Sequence, residues 1–376
     1  MDSRSVRKSL QCTLLVLAII APSIISVAAQ PRSHQLLGAF FYPWYGHYRH
    51  WNMSGRQPPA NWSSNFQPQT LDARDPSKAL YNSNDTSIVL WQLGKMRQAG
   101  LDFVISSWWG KSSYEDAVLR KILFEVVPRS DNPYRDLKWS TVYDSEIFLD
   151  PTVERIIDDL KYISATFGRS NNIFRMHGKI VLFVSGGPND QVDYSRRWNA
   201  AARWVGGFYL VLKAFRGHSA VASYADAWYQ FAPTNRIQYD SYHWGFVSPG
   251  YSRYDEAAPR LSRNPEEFEM ALRRLRETNV PFALIETWND WNDGTQIEPG
   301  MDLQTGERYG DVYVDLVRRV MKEEGYASPQ RPKYLFGILL IAVIVMLVAF
   351  PYVASPIKKA MSKWVHSLVP RSTNNW

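Results

Sequence analysis

Short apolar runs and helical patterns alternate along most of this chain, and that alternation limits its fold more than any other feature. Runs at 36–42, 101–106, 139–143, 179–184, 207–212, 227–231, 236–239 and 281–285 read as strands. Between them, apolar residues recur at helical spacing. Ile88, Leu90, Trp91, Leu93 and Met96 do so ahead of a capping Gly100, and Phe268, Leu272 and Leu275 share one face of 265–277. Further helices are expected at 115–127, 151–167 and 310–323. Strands followed by helices or long loops fit a (β/α)8 TIM-like barrel, with a doubly wound open sheet as the other solution. Two features favour the barrel. No Gly-rich phosphate fingerprint follows the first strand. Polar and aromatic residues also cluster just after several different strands, where a barrel gathers its site. No internal repeat is visible.

The ends of the chain read differently. Residues 1–29 begin with Arg4, Arg7 and Lys8, continue through an apolar stretch at 14–25 and close on Val27-Ala28-Ala29. This is the pattern of a secretory signal peptide, with an uncleaved anchor as the alternative. Residues 334–354 are nearly all apolar, about the 20 residues a bilayer-spanning helix needs. Lys358, Lys359, Lys363 and Arg371 follow. The positive-inside rule then puts tail 355–376 in the cytoplasm and domain 30–325 outside or in a lumen, joined through linker 326–333.

The formal charge of +7 belongs largely to these ends. With the leader and tail set aside, the intervening domain is close to neutral, which argues against a nucleic-acid surface and suits a neutral sugar. The only cysteine, Cys12, lies in the leader, so the domain must be held by its core rather than by disulfides. Sequons at Asn52, Asn61 and Asn84 are compatible with an exported chain.

Aromatic and polar clusters stand at several strand ends. After the first strand come Tyr42-Pro43-Trp44-Tyr45-Gly46 and His50-Trp51-Asn52. After the second come Ser106-Ser107-Trp108-Trp109-Gly110, and after the third Tyr143-Asp144. With 236–239 taken as the seventh strand, Tyr242 and His243 follow it. In a barrel these segments converge on one mouth rich in flat apolar rings with polar tips, which suits sugar faces. The alternative is that the rings fill the core. The last strand ends in Trp288-Asn289-Asp290-Trp291-Asn292-Asp293-Gly294-Thr295-Gln296-Ile297-Glu298-Pro299. Glycoside cleavage needs one protonated carboxyl and one ionised carboxyl, and Asp290 and Asp293 are candidates for that catalytic pair. Gly294 permits a tight turn between them and the rest of the loop. Trp291, Asn292 and Glu298 are candidate substrate contacts, although Glu298-Pro299 can equally be a structural corner. Glu286 reads as a polar residue pointing into the barrel. The seven histidines show no metal-ligand spacing, so neither a metal nor another cofactor is expected.

These motifs resemble glycoside hydrolase family 99, the endo-acting α-mannosidases, over roughly 37–299. Phe41-Tyr42-Pro43-Trp44-Tyr45-Gly46 resembles the family's first-strand motif, and 81–110 its second βα unit. Ser248-Pro249-Gly250-Tyr251 resembles its loop after the seventh strand. The run 288–299 resembles Phe-Asn-Glu-Trp-His-Glu-Gly-Thr-Gln-Ile-Glu-Pro. The resemblance implies a barrel that cleaves internal α-mannosidic bonds with retention. By position, Asp290 takes the role of the acid that deprotonates the sugar's own 2-hydroxyl, and Asp293 that of the proton donor. Tyr42, Trp44 and Trp108 would contact sugar. The chain departs from the pattern in carrying aspartate for both glutamates and Asn292 for the histidine. Each acid is shorter by on the order of 1 Å, a misplacement that can cost ~100-fold.

The expected protein is a membrane-anchored glycoside hydrolase acting on an α-linked glycan. The other readings are a glycan-binding barrel without turnover and a glycosyltransferase of polysaccharide assembly.

Overall fold

The computed structural model describes residues 35–46, 50–51, 65–69, 80–144, 150–186, 192–214, 218–239 and 243–322. All of them fall within one compact unit, Met1–Glu324. The expected leader, linker, membrane span and tail, and the sequons at Asn52 and Asn61, lie outside the described residues. Among the described residues, no helix is long and apolar enough to cross a membrane. Asn84 is exposed, immediately before the Asp85 cap of the first helix.

Eight parallel strands build the centre: β1 (Leu36–Phe41), β2 (Phe103–Trp108), β3 (Lys138–Tyr143), β4 (Lys179–Val184), β5 (Phe208–Lys213), β6 (Ala227–Tyr229), β7 (Trp244–Val247) and β8 (Phe282–Ile285). Their hydrogen-bonded order is β6-β5-β4-β3-β2-β1-β8-β7. Each strand but β6 neighbours its sequence successor, and β1 pairs with both β2 and β8. That circular order belongs to a barrel; a doubly wound sheet would reverse direction partway. Among the described residues, no backbone ladder joins β6 to β7. Aromatic rings bridge the gap instead, with Tyr229 and Phe246 6.1 Å apart between centroids. Phe40 of β1, Phe183 of β4, Trp244 of β7 and Phe282 of β8 continue this cluster, the last two stacked at 4.2 Å.

One strand assignment needs correction. Ile237–Tyr239 is an antiparallel edge strand against β7, not the seventh barrel strand. The two runs are close together and both apolar, but only Trp244–Val247 is buried along its whole length. Packing explains the choice. A Cβ on Gly245 would stand 2.2 Å from Leu275 Cδ1, so the bare glycine lets a helix rest directly on β7.

Helices α1 (Thr86–Ala99), α2 (Tyr114–Lys121), α3 (Val153–Thr166), α4 (Val192–Val205), α5 (His218–Ala222), α6 (Pro265–Glu277) and α7 (Val312–Met321) follow β1, β2, β3, β4, β5, β7 and β8. Their starts obey local chemistry. Asp85, Ser113, Thr152 and Asn264 each accept a main-chain N–H with the side chain, and Pro265 opens α6 where its missing N–H costs nothing. The expected 115–127 helix continues from α2 into a π-helical turn, Ile122–Val126. Sequence reading missed α4, although Tyr194, Trp198 and Ala201 bury one face of it. It also missed a small antiparallel sheet of Phe66–Pro68, Gly300–Asp302 and Arg308–Gly310. That sheet holds the chain directly after Pro299.

Candidate active site

The loop leaving β8 is knitted to itself. Thr287 N donates to Thr295 O at 2.8 Å, Ile297 N to Thr287 O at 3.0 Å and Glu298 N to Trp288 O at 2.9 Å. Gly294 takes φ 66°, as the expected turn requires, and a Cβ there would meet Ser252 O at 2.6 Å. Asn289 is fully buried and ties the loop to the end of β1 through the main chain of Tyr42.

Glu298 is the hub of this knot. It is inaccessible to solvent and accepts from Gln92 Nε2 (2.7 Å), Tyr81 OH (2.9 Å), Trp291 Nε1 (2.9 Å) and Trp288 Nε1 (3.1 Å). Burial pushes its pKa up to about 7, against the pull of those four hydrogen bonds. Its place as a substrate contact is therefore corrected: it is the structural corner. Trp291 is corrected with it, since its indole is wholly buried on the same carboxyl.

Asp290 and Asp293 stand together at the barrel mouth. Asp290 is 6% exposed, and its Oδ1 accepts the Asp293 main-chain N–H at 3.3 Å. Burial raises its pKa well above the usual carboxylate value, and the carboxyls of Asp293 and Asp144 add to the rise. The Asp293 side chain is 24% exposed, 3.4 Å from Arg253 Nη1. Its pKa is raised by burial and pulled back by Arg253. Arg253 is itself fixed by a two-pronged pair with Asp255, both contacts 2.8 Å.

Tyr42 joins these acids. Burial raises its hydroxyl pKa first, and Asp290, Asp144 and Asp293 raise it further. Half-buried Trp44 stacks on Tyr42 at 4.3 Å and on His50 at 4.7 Å, so a ring edge stays at the rim. Asn292 links the first and last strand loops: its Oδ1 accepts from Tyr45 OH at 3.2 Å and its Nδ2 donates to His50 O at 2.8 Å.

Three other candidates are not at the mouth. Trp108 points away from the barrel axis, where its Nε1 donates to Asp116 of α2 at 3.0 Å and its ring stacks on Tyr162 of α3. Trp51 is buried against Tyr45 at 4.1 Å, with its Nε1 on Tyr81 O at 2.9 Å. Buried indoles whose N–H groups are already bonded offer no stacking face. His243 immediately precedes β7, at the opposite end from the loop of Asp290, and its carbonyl accepts from Phe282 N. It was misplaced together with the seventh strand. Tyr242 lies outside the described residues.

The structure adds acids that sequence reading did not assign to the site. Asp144, directly after β3, accepts a short hydrogen bond from Ser107 Oγ, which in turn receives Trp109 Nε1 at 3.1 Å. Burial pushes Asp144 up to about 7. Glu286, directly after β8, does point inward; it accepts from Ala232 N at 3.1 Å, and burial pushes it up to about 8. Lys213 at the end of β5 pulls both values down. The available signal was position, because both acids directly follow strands.

No protein-family model matches the chain. It is 20% identical to a glycoprotein endo-alpha-1,2-mannosidase of Mus musculus over 354 residues, covering 78% of this chain and 73% of that protein. It is 21% identical over 362 residues to a glycoprotein endo-alpha-1,2-mannosidase-like protein of Homo sapiens, covering 77% and 75%. The structure of the GH99 endo-alpha-mannosidase from Bacteroides thetaiotaomicron superposes with a TM-score of 0.60 at 16% identity, covering 78% of this chain and 100% of that one. The chain is GH99-like. In this chain Asp290, Asp293, Tyr42 and Asp144 all follow the C-terminal ends of barrel strands, the end at which (β/α)8 barrels carry their sites. A second solved structure, a glycoside hydrolase-like protein, shares the architecture with a TM-score of 0.52 at 13% identity.

Proposed function

We propose that this GH99-like chain is a membrane-anchored glycoside hydrolase. It cleaves internal α-mannosidic or related α-glycosidic bonds with retention, using Asp290 and Asp293. One observation carries the reading: two adjacent carboxyls at the mouth of a (β/α)8-like barrel share a hydrogen-bonded loop but differ in burial and in charged neighbours. Unlike surroundings are what divide an acid from a base in glycoside cleavage. Tyr42 and Trp44 offer the adjoining ring surface for the sugar. Support for the substrate comes from the endo-alpha-mannosidases among its relatives. Support for the anchor comes from sequence: the apolar run 334–354 followed by four basic residues.

Full-length protein in detergent, incubated with α-mannan oligosaccharides and other α-glycans, is expected to release new reducing ends with retained anomeric configuration. Asp290→Asn and Asp293→Asn should abolish that release. Sugar binding by all three proteins with cleavage by none would leave a glycan-binding barrel instead. Resistance of the chain to alkaline extraction from membranes tests the anchor.

A further inference from the structure

The loop between β7 and α6 brings Arg263 against the turn that follows β8. Tyr251 and Leu261 pair across that loop: Tyr251 N donates to Leu261 O at 2.8 Å and Leu261 N to Tyr251 O at 3.1 Å, so Arg263 leaves from a fixed point two residues on. Its stem crosses Gly250, where a Cβ would stand 2.4 Å from Arg263 Cγ. The guanidinium then enters a cage of three rings, with Tyr313 of α7 at 4.3 Å, Tyr309 at 4.9 Å and Phe66 at 5.0 Å from ring centroid. The cage is itself held in place. Tyr309 meets Tyr313 edge-on at 5.5 Å, and its hydroxyl accepts from Gln296 Nε2 at 2.9 Å and donates to Glu298 O at 3.2 Å. Ring faces attract a cation, and a planar guanidinium between them keeps its edge N–H groups for acceptors. Here that edge is spent on the loop: Nη1 donates to Gly294 O at 3.1 Å and Nη2 to Gln296 O at 2.8 Å.

Among the described residues, neither carbonyl takes part in a main-chain hydrogen bond. The two flank Thr295, which holds Asp290 twice. Thr295 N donates to Asp290 O at 3.2 Å, and its hydroxyl bonds at 3.0 Å to Thr287 Oγ1, the acceptor of Asp290 N at 2.9 Å. Asp293 directly precedes Gly294, and its carbonyl accepts from Ser252 N at 2.9 Å. We propose that Arg263 is a positioning residue of the reaction: a caged guanidinium whose two N–H bonds fix the turn from which Asp290 and Asp293 present their carboxyls. The proposal rests on the glycosidase reading above. Among the described residues Arg263 bonds the loop backbone rather than either carboxyl, so its loss should misplace the acids without removing a sugar contact. Misplacement of about 1 Å can cost ~100-fold in the chemical step.

Free guanidinium ions test the cage, because Arg263→Ala leaves the three rings and the two carbonyls around an emptied site. Two readouts are taken on the full-length protein in detergent: hydrogen exchange of the backbone amides at 287–298, and cleavage of α-mannan oligosaccharides. Arg263→Ala should exchange faster than wild type at 287–298, with exchange in β3, β4 and β5 unchanged. It should also lose at least ~tenfold in kcat while KM stays within about twofold. Millimolar methylguanidinium should reverse both changes, whereas methylammonium or sodium chloride at equal ionic strength should not. Arg263→Lys keeps the cation but not the fork, so it should fall between wild type and Arg263→Ala in both readouts. It carries the test if Arg263→Ala fails to fold. Unchanged exchange and kcat in either variant overturn the proposal. Faster exchange spread over the whole barrel, no rescue by methylguanidinium, or equal rescue by methylammonium overturns it too. A wild type that cleaves no α-glycan overturns the glycosidase reading instead, and the exchange readout still decides whether Arg263 holds the turn.

Discussion

Asn289 and Tyr42 exchange two hydrogen bonds across the join between the first and last strands. Tyr42 N–H donates to Asn289 Oδ1 at 2.7 Å, and Asn289 Nδ2 donates to the Tyr42 carbonyl at 2.9 Å. A side-chain amide thus continues the backbone pairing beyond the end of β8. Asn289→Ala would leave two buried main-chain groups without partners, at a cost of about 1–3 kcal/mol each. Urea unfolding should show a loss of at least about 2 kcal/mol, with kcat falling as the Tyr42 loop loosens from the aspartates. Unchanged stability would contradict this role.

The buried carboxyls set the direction of the pH response. Asp144 and Glu298 are pushed up to about 7 and Glu286 to about 8. Unfolded, such groups titrate near 4. The folded state therefore holds these protons more tightly, so the stabilisation is complete below about pH 4 and is lost as pH rises through 7 and 8. Unfolding free energy should be lower at pH 8.5 than at pH 5 by more than ~1.4 kcal/mol, the equivalent of one pKa unit for one group. Glu286→Gln, which keeps an acceptor for Ala232 N, should make that slope shallower. An equal slope in the variant would assign the dependence elsewhere.

Gly245 and Leu275 should behave as a coupled pair. Gly245→Ala drives a methyl to within 2.2 Å of Leu275 Cδ1 and 3.2 Å of Val280 Cγ2. Overpacking of this kind costs about 1–3 kcal/mol. In the Leu275→Ala background the closest clash is gone and only the 3.2 Å contacts to Tyr239 and Val280 remain, so a double-mutant cycle should give a coupling of at least ~0.5 kcal/mol. Strictly additive losses would mean that α6 does not rest on β7 at this point.

Trp44 and Trp108 should separate binding from stability. Trp108→Ala empties a buried site between the barrel and its helices and should cost about 3–5 kcal/mol. Trp44→Ala removes a half-buried rim ring and should raise KM for α-glycans several-fold, with a much smaller loss of stability. Swapped outcomes in thermal unfolding and kinetics would reverse the two placements.

Much of the scaffold was legible because its signals are local. Helix 265–277 was read to the residue, since Asn264, Pro265 and the stripe Phe268, Leu272 and Leu275 all act within a few positions. The turn at Gly294 and the arrival of Asp290 and Asp293 at a strand end were equally local. The fate of the tryptophans was not. Trp108 and Ser107 are adjacent, and only the parity of β2 against its neighbours decides that Ser107 faces Asp144 while Trp108 faces α2. Glu298 was ambiguous because its partners Gln92 and Tyr81 are more than 200 residues away in sequence. Ile237–Tyr239 and Trp244–Val247 look alike as strings, and only burial between neighbouring elements in the fold separates them.

The hub at Glu298 also changes what the run from Trp288 to Pro299 can tell a reader. Trp288, Asn289, Trp291 and Glu298 spend their polar atoms on one another or on the barrel. A chain that had lost both aspartates would still need these four residues to shape the loop. Finding such a run in an unfamiliar sequence is thus a statement about architecture, and the two acids alone carry information about reactivity.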